Sequence, residues 1–136
     1  MSNLFLRHGE VQNEKNVFYA NLPGFYLSNN GRTQAKNAGI KIKEQFDIKN
    51  IISSPLLRAR QTAEIVNSVL KINITTSYNI IEWAGPSDWI GRTWDEIKLT
   101  QNFKNADDSP LNLTNTGESL KSVFDRFNSI YEKCEN

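Results

Sequence analysis

The chain has 136 residues, of which 38% are hydrophobic and 23% charged, a composition typical of one soluble globular domain and not of a disordered chain. Sixteen basic side chains against fifteen acidic ones leave a formal net charge of +1, so neither nucleic acid nor an anionic membrane is expected as a partner. Cys134 is the only cysteine, which excludes an intrachain disulfide and a cysteine-based metal cluster. No apolar run approaches the ~20 residues of a membrane span. The N-terminus lacks the basic region of a signal peptide, and we therefore expect a cytoplasmic protein.

Short apolar runs and amphipathic segments alternate through the first part of the chain. In chain order they predict a strand at Leu4–Leu6, a helix from about Asn29–Gly31 to Phe46, a strand within Ile48–Ser54, a helix from Pro55 to Leu70 and a strand within Ile74–Glu82. Ser28 or Asn30 is the expected N-cap of the first helix. The positions expected to face the core are Ala35, Ala38, Ile42 and Phe46 in the first helix and Ala59, Ala63, Val66 and Leu70 in the second. The segment 17–28 reads as a loop.

The remainder of the chain is rich in loops from Trp83 to Pro110, with one short helix expected over Trp94–Leu99. The strongest helical period lies from Gly117 to about Lys133, with Asn115 or Thr116 as the cap. Strands alternating with helices predict an α/β domain with helices on both faces of a mostly parallel sheet. Ligands gather at the carboxyl ends of the strands in such sheets, where we expect the polar residues that follow each strand.

The tripeptide Arg7-His8-Gly9 follows the first predicted strand. A neutral imidazole is a good nucleophile toward phosphorus, and a neighbouring arginine binds phosphoryl oxygens through its planar fork. His8 is the only histidine, which excludes sites that need two imidazoles. A lone histidine is often a residue that simply ends a strand, and the tripeptide alone does not separate the two readings.

Two further candidates follow the second and third predicted strands. Ser53-Ser54 precede a helix whose N-terminal amides can bind an anion, and Arg58 in its first turn can reach the same anion. A surface arginine on an amphipathic helix is the alternative. Glu82 could protonate a leaving alcohol and later take a proton from water, although most glutamates at strand ends are only solvated.

Five stretches together resemble the histidine phosphatase superfamily, in its phosphoglycerate mutase-like branch that includes alpha-ribazole phosphatase-type enzymes. They are LFLRHGEVQN, FYANLPGFYLSNNGRTQA, SSPLLRARQTAEI, IIEWAGPSDWIGRTWDEI and TGESLKSVFDRF, in family order from Leu4 to about Phe127. The resemblance implies that His8 is phosphorylated, that Arg7 and Arg58 bind the phosphate, that Glu82 is the general acid and base, and that Asn13 contacts the phosphoryl group. It implies a structural role for Gly117-Glu118-Ser119.

One feature of that family has no counterpart in this sequence. Its members carry a second active-site histidine in a Ser-His-Gly context on a strand beyond the final helix, whereas His8 is the only histidine here. We therefore expect residues 1–136 to form a single phosphoglycerate mutase-like αβα domain that lacks this C-terminal strand. Such a loss would leave unpaired edge groups beside the first strand and uncovered apolar surface on the last helix.

The expected function is hydrolysis of a small phosphorylated metabolite through a phosphohistidine intermediate, without metal or cofactor. A non-catalytic phosphoester-binding module and a phosphoglycerate mutase-type phosphotransferase are the alternatives. A P-loop or Rossmann nucleotide-binding domain has less support, because neither glycine-rich signature is present. The candidates for the pocket rim are Tyr19, Phe25, Trp83, Trp89 and Arg92. Each of them fits the core or the open surface equally well, and Trp83 and Trp89 could simply pack under the long loop. The sequence does not identify the substrate or the oligomeric state.

Overall fold

The structure is a computed structural model and describes residues 3–106 and 118–135. The chain contacts divide it into two compact units. The first unit comprises Met1–Gln12 and Pro23–Ile81, and the second comprises Asn13–Leu22 and Glu82–Asn136. Each unit is described by itself below.

The first unit contains a β–α–β element. Strand β1 (Asn50–Ser53) leads into helix α2 (Leu57–Leu70), which returns the chain to strand β2 (Asn73–Thr76). The two strands pair in parallel, with Asn50 opposite Asn73. The alternation predicted from the sequence is confirmed for these elements, which form an α/β arrangement.

Helix α1 (Asn29–Gln45) precedes this element and packs against α2. Its N-cap is Ser28, one of the two predicted caps, whose Oγ accepts a hydrogen bond from the Gly31 N–H at 3.0 Å. Gly39 allows a close approach of the two helices, since a Cβ at this position would lie 3.1 Å from the Cα of Val66. Helix packing of this closeness needs a glycine on one of the two surfaces.

The predicted core positions of the two helices are only partly confirmed. Ala35, Ile42, Ala63 and Val66 are buried, whereas Ala38, Ala59 and Leu70 are half-buried. Phe46 was expected in the core and is 41% exposed. It is the C-cap residue of α1, where the backbone has left the helical conformation, so the helical period no longer places its ring on the buried face.

The predicted strand at Leu4–Leu6 is wrong. The described part of the chain forms a sheet of β1 and β2 alone, and this segment lies outside its helices and strands. Phe5 is 65% exposed and Leu6 49%. A buried strand needs neighbours on its faces as well as apolar residues, and both side chains keep about half or more of their surface exposed.

The third predicted strand is shorter than expected, and Glu82 does not directly follow it. Strand β2 ends at Thr76, and a 3-10 turn (Tyr78–Ile80) follows. The Ser77 hydroxyl accepts a hydrogen bond from the Asn79 N–H at 3.2 Å, which stabilises the turn in place of further strand. Glu82 is therefore presented by a loop, two residues after this turn.

The second unit is built around aromatic side chains. Trp89 and Ile97 are its buried centre, and Phe18, Trp83 and Phe103 pack against them. The indole N–H of Trp89 donates to the Thr100 hydroxyl at 3.1 Å, which satisfies its one polar atom inside the core.

The described residues of this unit form three helices: α3 (Trp94–Ile97), α4 (Gln101–Ala106) and α5 (Leu120–Glu135). Helix α3 is a shorter form of the helix predicted over Trp94–Leu99, and α4 was not predicted. The last helix is confirmed over the residues that the structure describes, while its expected caps Asn115 and Thr116 lie outside them. None of the helices described is long and apolar enough to cross a membrane.

Candidate active site

The His8 ring is held by the backbone of the next residue. Its Nδ1 lies 2.8 Å from the carbonyl oxygen of Gly9. A carbonyl oxygen can only accept a hydrogen bond, so the geometry assigns the proton to Nδ1. The lone pair of the neutral ring then resides on Nε2, which is the nitrogen available for nucleophilic chemistry.

Two hydrogen bonds connect the backbone beside His8 to the first turn of α2. The Gly9 N–H donates to the hydroxyl of Thr62 at 3.1 Å, and that hydroxyl donates to the carbonyl of Arg58 at 2.8 Å. Arg58 is 1% exposed, so its guanidinium lies in the interior of the first unit. The structure thus links the backbone of Gly9, next to His8, to the backbone of Arg58 through Thr62, a residue that the sequence analysis did not single out.

The Glu10 backbone is held against the start of α1. Its carbonyl accepts from the Ser28 N–H at 2.9 Å, and its own N–H donates to the Gln34 side chain at 2.8 Å. The Glu10 carboxylate accepts from the Ser28 hydroxyl and the Asn30 amide, and these hydrogen bonds lower the pKa of the Glu10 carboxyl. The loop after His8 is therefore fixed by α1 as well as by α2.

Backbones meet without intervening side chains at Gly9 and Gly31. A Cβ on Gly31 would lie 2.8 Å from the nitrogen of Glu10, and one on Gly9 would overlap the carbonyl of Gly31. Neither glycine has a positive φ, so the requirement is close approach and not backbone conformation. The stretch NNGRTQA contains Gly31, Arg32 and Gln34, but nothing in its spacing indicates which of them touches the His8 loop.

A cavity of about 180 Å³ adjoins this loop. It is lined by Leu6, Arg7, His8, Gly9, Gln34, Ala35, Ala38 and Thr62. Ligand pockets for small molecules are commonly about 300–1,000 Å³, so this cavity does not enclose a metabolite by itself. Arg7 is exposed beside it.

The other two predicted site residues belong to the second unit. Asn13 closes a turn: its Nδ2 donates to the Val17 carbonyl at 2.9 Å and its Oδ1 accepts from the Val17 N–H at 3.2 Å. Glu82 is exposed, and its Oε1 accepts from the Trp83 N–H at 3.0 Å. The structure thus assigns a local structural role to the Asn13 amide, and a phosphate contact by Asn13 stays a prediction.

The residues around Glu82 are anchored from the start of α5. The Trp83 indole N–H donates to the Glu118 carbonyl at 2.6 Å, and the Glu118 carboxylate accepts from Arg126 Nε at 2.6 Å. The Arg126 guanidinium is the largest cause that lowers the pKa of the Glu118 carboxyl. These hydrogen bonds are a structural role of the kind that the resemblance implies for Glu118. The sequence analysis did not predict a role for Arg126.

Trp89 does not line a pocket rim. It is 5% exposed and forms the buried centre of the aromatic cluster, which confirms the core alternative that the sequence left open for it. Phe25 and Trp83 are half-buried and Arg92 is exposed. Over residues 3–106 and 118–135, no three His, Cys, Asp or Glu side chains form a group that could hold a metal ion.

Comparison with known proteins identifies relatives along almost the whole chain. The sequence profile of the histidine phosphatase superfamily (branch 1) matches residues 4–136. An uncharacterized protein of Mycobacterium tuberculosis is 38% identical over 104 residues, which cover 68% of this chain and 51% of that protein. The 2,3-bisphosphoglycerate-dependent phosphoglycerate mutase of Thermoplasma acidophilum is 34% identical over 80 residues, covering 58% of this chain and 40% of the mutase.

The fold has a solved counterpart in the alpha-ribazole phosphatase of Shigella flexneri. The two structures superpose with a TM-score of 0.77 at 21% identity, over 96% of this chain and 65% of that one. At this identity the likeness shows the fold. The chain spans about half the length of the first curated relative it matches.

Proposed function

Since the chain belongs to the histidine phosphatase superfamily (branch 1), we propose that it hydrolyses a small phosphomonoester through a phosphohistidine at His8. The observation that carries the proposal is the hydrogen bond between His8 Nδ1 and the Gly9 carbonyl. It fixes the tautomer in which Nε2 holds the lone pair, which is the form that attacks phosphorus.

The two arginines of the first unit supply positive charge for a phosphate dianion. Arg7 adjoins His8 in sequence and is exposed, while Arg58 is buried at the start of α2. Electrostatic attraction is stronger in the low-dielectric interior, so a phosphoryl group that reaches Arg58 interacts strongly with its guanidinium. Among the residues that the structure describes, no side chain caps the N-terminus of α2, which suits the approach of an anion.

The first chemical step transfers the phosphoryl group to His8. Nε2 forms a bond to phosphorus while the bond from phosphorus to the ester oxygen breaks. The protonated carboxyl of Glu82 gives its proton to the departing oxygen, which leaves as an alcohol. Arg7 and Arg58 stabilise the charge on the three oxygens that remain on phosphorus.

The second step returns the enzyme to its starting form. The Glu82 carboxylate takes a proton from water as the water oxygen attacks phosphorus, and the bond to Nε2 breaks. Inorganic phosphate leaves, and the imidazole recovers its lone pair. Glu82 is protonated again and ready for another turnover.

The decisive experiment is capture of the phosphohistidine. The protein is mixed with an aryl phosphate labelled on phosphorus and quenched in alkali, since phosphohistidine is labile to acid. We expect a stoichiometric label on the wild type and none on His8→Ala. Because His8 is the only histidine, any phosphohistidine in the chain identifies the nucleophile without mapping.

The same experiment separates the alternatives. Binding of phosphate without any label, in a folded protein, would favour a phosphoester-binding module. The relationship to the phosphoglycerate mutase of Thermoplasma acidophilum supports a second candidate, phosphotransfer between hydroxyl groups of one metabolite. A label that transfers to 3-phosphoglycerate faster than to water would favour this mutase function over the hydrolase.

A further inference from the structure

Glu118 contacts the two residues that follow Glu82, and a residue needed only to start a helix would not require these contacts. Its carboxylate forms a two-pronged ion pair with Arg126, at 2.6 Å to Nε and 2.9 Å to the terminal nitrogen. The Ala84 N–H donates to the same carboxylate, and the Glu118 carbonyl accepts from the Trp83 indole at 2.6 Å. One residue therefore holds both positions that follow Glu82.

Neighbouring aromatic rings also hold the Trp83 side chain. Its ring lies edge-on to Phe18 at 6.3 Å and to Trp89 at 6.0 Å between centroids. Its backbone N–H donates to the Glu82 carboxylate at 3.0 Å. The position of the Glu82 carboxyl thus depends on the Trp83 backbone, which the aromatic cluster and Glu118 hold in place.

The ion pair that completes this arrangement is sheltered from solvent. The Arg126 and Glu118 side chains are 17% and 21% exposed, whereas Lys121 and Asp125 on the same helix form a pair that is 76% and 57% exposed. A bidentate, partly buried arginine–carboxylate pair holds its geometry far better than an exposed lysine pair does. Helix α5 therefore carries Arg126, the partner of the proposed anchor Glu118, together with an exposed pair that serves as a control.

We propose that Glu118 is a positioning residue for Glu82. It acts by holding Trp83 and Ala84, so that the Glu82 carboxyl is presented in one place for proton transfer to the leaving group. This inference rests on the proposed function, in which Glu82 is the general acid.

Substrates with different leaving groups test this role. An alkyl phosphate needs protonation of its departing oxygen, while 2,4-dinitrophenyl phosphate releases 2,4-dinitrophenolate, which departs as a stable anion without a proton. General acid catalysis contributes about 10²–10⁴-fold, and a displacement of about 1 Å can cost 10²-fold. Since both esters form the same phosphohistidine, whose hydrolysis also uses Glu82, the comparison is made in kcat/KM, which reports the steps through phosphorylation of His8. We expect Glu118→Ala to lower kcat/KM for an alkyl phosphate by about 10–100-fold and for the dinitrophenyl ester by less than about 3-fold.

Companion variants distinguish positioning from general damage to the fold. Glu118→Gln keeps an oxygen that accepts from Ala84, so we expect it to recover most of the alkyl phosphate activity. In the Glu82→Gln background, Glu118→Ala should cause no further loss with the alkyl phosphate. Asp125→Asn breaks the exposed pair on α5 and should leave both rates unchanged. Equal losses with both esters, or losses that multiply with Glu82→Gln, would overturn the inference.

A second measurement needs no activity. Amide hydrogen exchange over residues 82–84 should accelerate at least 10-fold in Glu118→Ala and stay unchanged in Asp125→Asn. Unchanged exchange in Glu118→Ala would refute the positioning role whatever the kinetics. A different outcome would be faster exchange in Glu118→Ala together with a wild type that never labels His8. This result would overturn the proposed function, and the positioning of a general acid with it. Glu118 would then be a structural anchor.

Discussion

Replacement of Gly31 by alanine tests how the His8 loop is built. The new methyl group would overlap the Glu10 carbonyl and lie 2.8 Å from its nitrogen and 2.9 Å from its carbon. All three are backbone atoms, so no side-chain rotation relieves the overlap. Either the loop or the first turn of α1 has to move.

The size of the effect follows from two opposing terms. Alanine favours a helix by about 0.5–1 kcal/mol over glycine. Overpacking costs about 1–3 kcal/mol, and separation of the two backbones weakens the 2.9 Å hydrogen bond from Ser28 to Glu10, which is worth about 1 kcal/mol. We expect the free energy of unfolding to fall by about 1–3 kcal/mol, and phosphorylation of His8 to slow because its loop is displaced.

Urea unfolding followed by circular dichroism measures this change, with Asn37→Ala as the matched control. Asn37 is an exposed residue of the same helix, so its replacement should raise stability by about 0.5 kcal/mol through helix propensity alone. If Gly31→Ala were as stable as Asn37→Ala and labelled His8 at the wild-type rate, the backbone contact would have no importance for the site.

The remaining predictions concern single polar groups. Thr62→Val should destabilise the protein by about 1–3 kcal/mol in urea unfolding, because the Gly9 N–H loses its buried acceptor, while Thr62→Ser should stay close to wild type; equal stability of the two variants would contradict this. The pKa of Glu118 is lowered in the folded state by Arg126, so its ionised form stabilises the fold above the ordinary glutamate pKa, and this stability is lost as pH falls through the lower folded value. Unfolding from neutral pH to pH 3 should therefore show a smaller acid-induced loss for Glu118→Gln than for wild type, and parallel pH profiles would argue against a depressed pKa.

The β–α–β element could be predicted from the sequence because its signals are local. The Ile51-Ile52 run predicts its own strand, and the four- and three-residue spacing of Ala59, Ala63 and Val66 predicts its own helix. The N-cap of α1 is likewise a local signal, since the Ser28 side chain accepts a hydrogen bond from the Gly31 N–H three residues on. Local chemistry and tertiary structure agree here.

The Leu4–Leu6 prediction failed because burial is a property of neighbours. An apolar run of three residues fits a buried strand, but the described residues leave Phe5 65% exposed. The placement of Glu82 failed for a related reason: the side chain of Ser77 stabilises a turn where the sequence pattern suggested continued strand. The first error concerns whether neighbouring residues cover a segment, and the second concerns where a strand ends.

For the candidate site, the sequence pointed to residues that could carry the chemistry, but it did not point to the residues that hold their segments in place. Arginine, histidine and glutamate in a recognisable pattern indicate phosphoryl transfer. Thr62 and Arg126 act through hydrogen bonds that depend on how distant segments pack, and no spacing within one helix indicates them. Support residues of this kind become visible only in three dimensions.

The Gly9 carbonyl that holds His8 has a practical consequence for spectroscopy. The chain contains a single imidazole, so its carbon-bound and nitrogen-bound ring protons give resonances with no overlap from other histidines. A ring N–H engaged by a carbonyl at 2.8 Å exchanges slowly enough to serve as a direct reporter of the tautomer. Proton NMR of the unlabelled protein can therefore follow the protonation and phosphorylation of the nucleophile in real time, at one known atom.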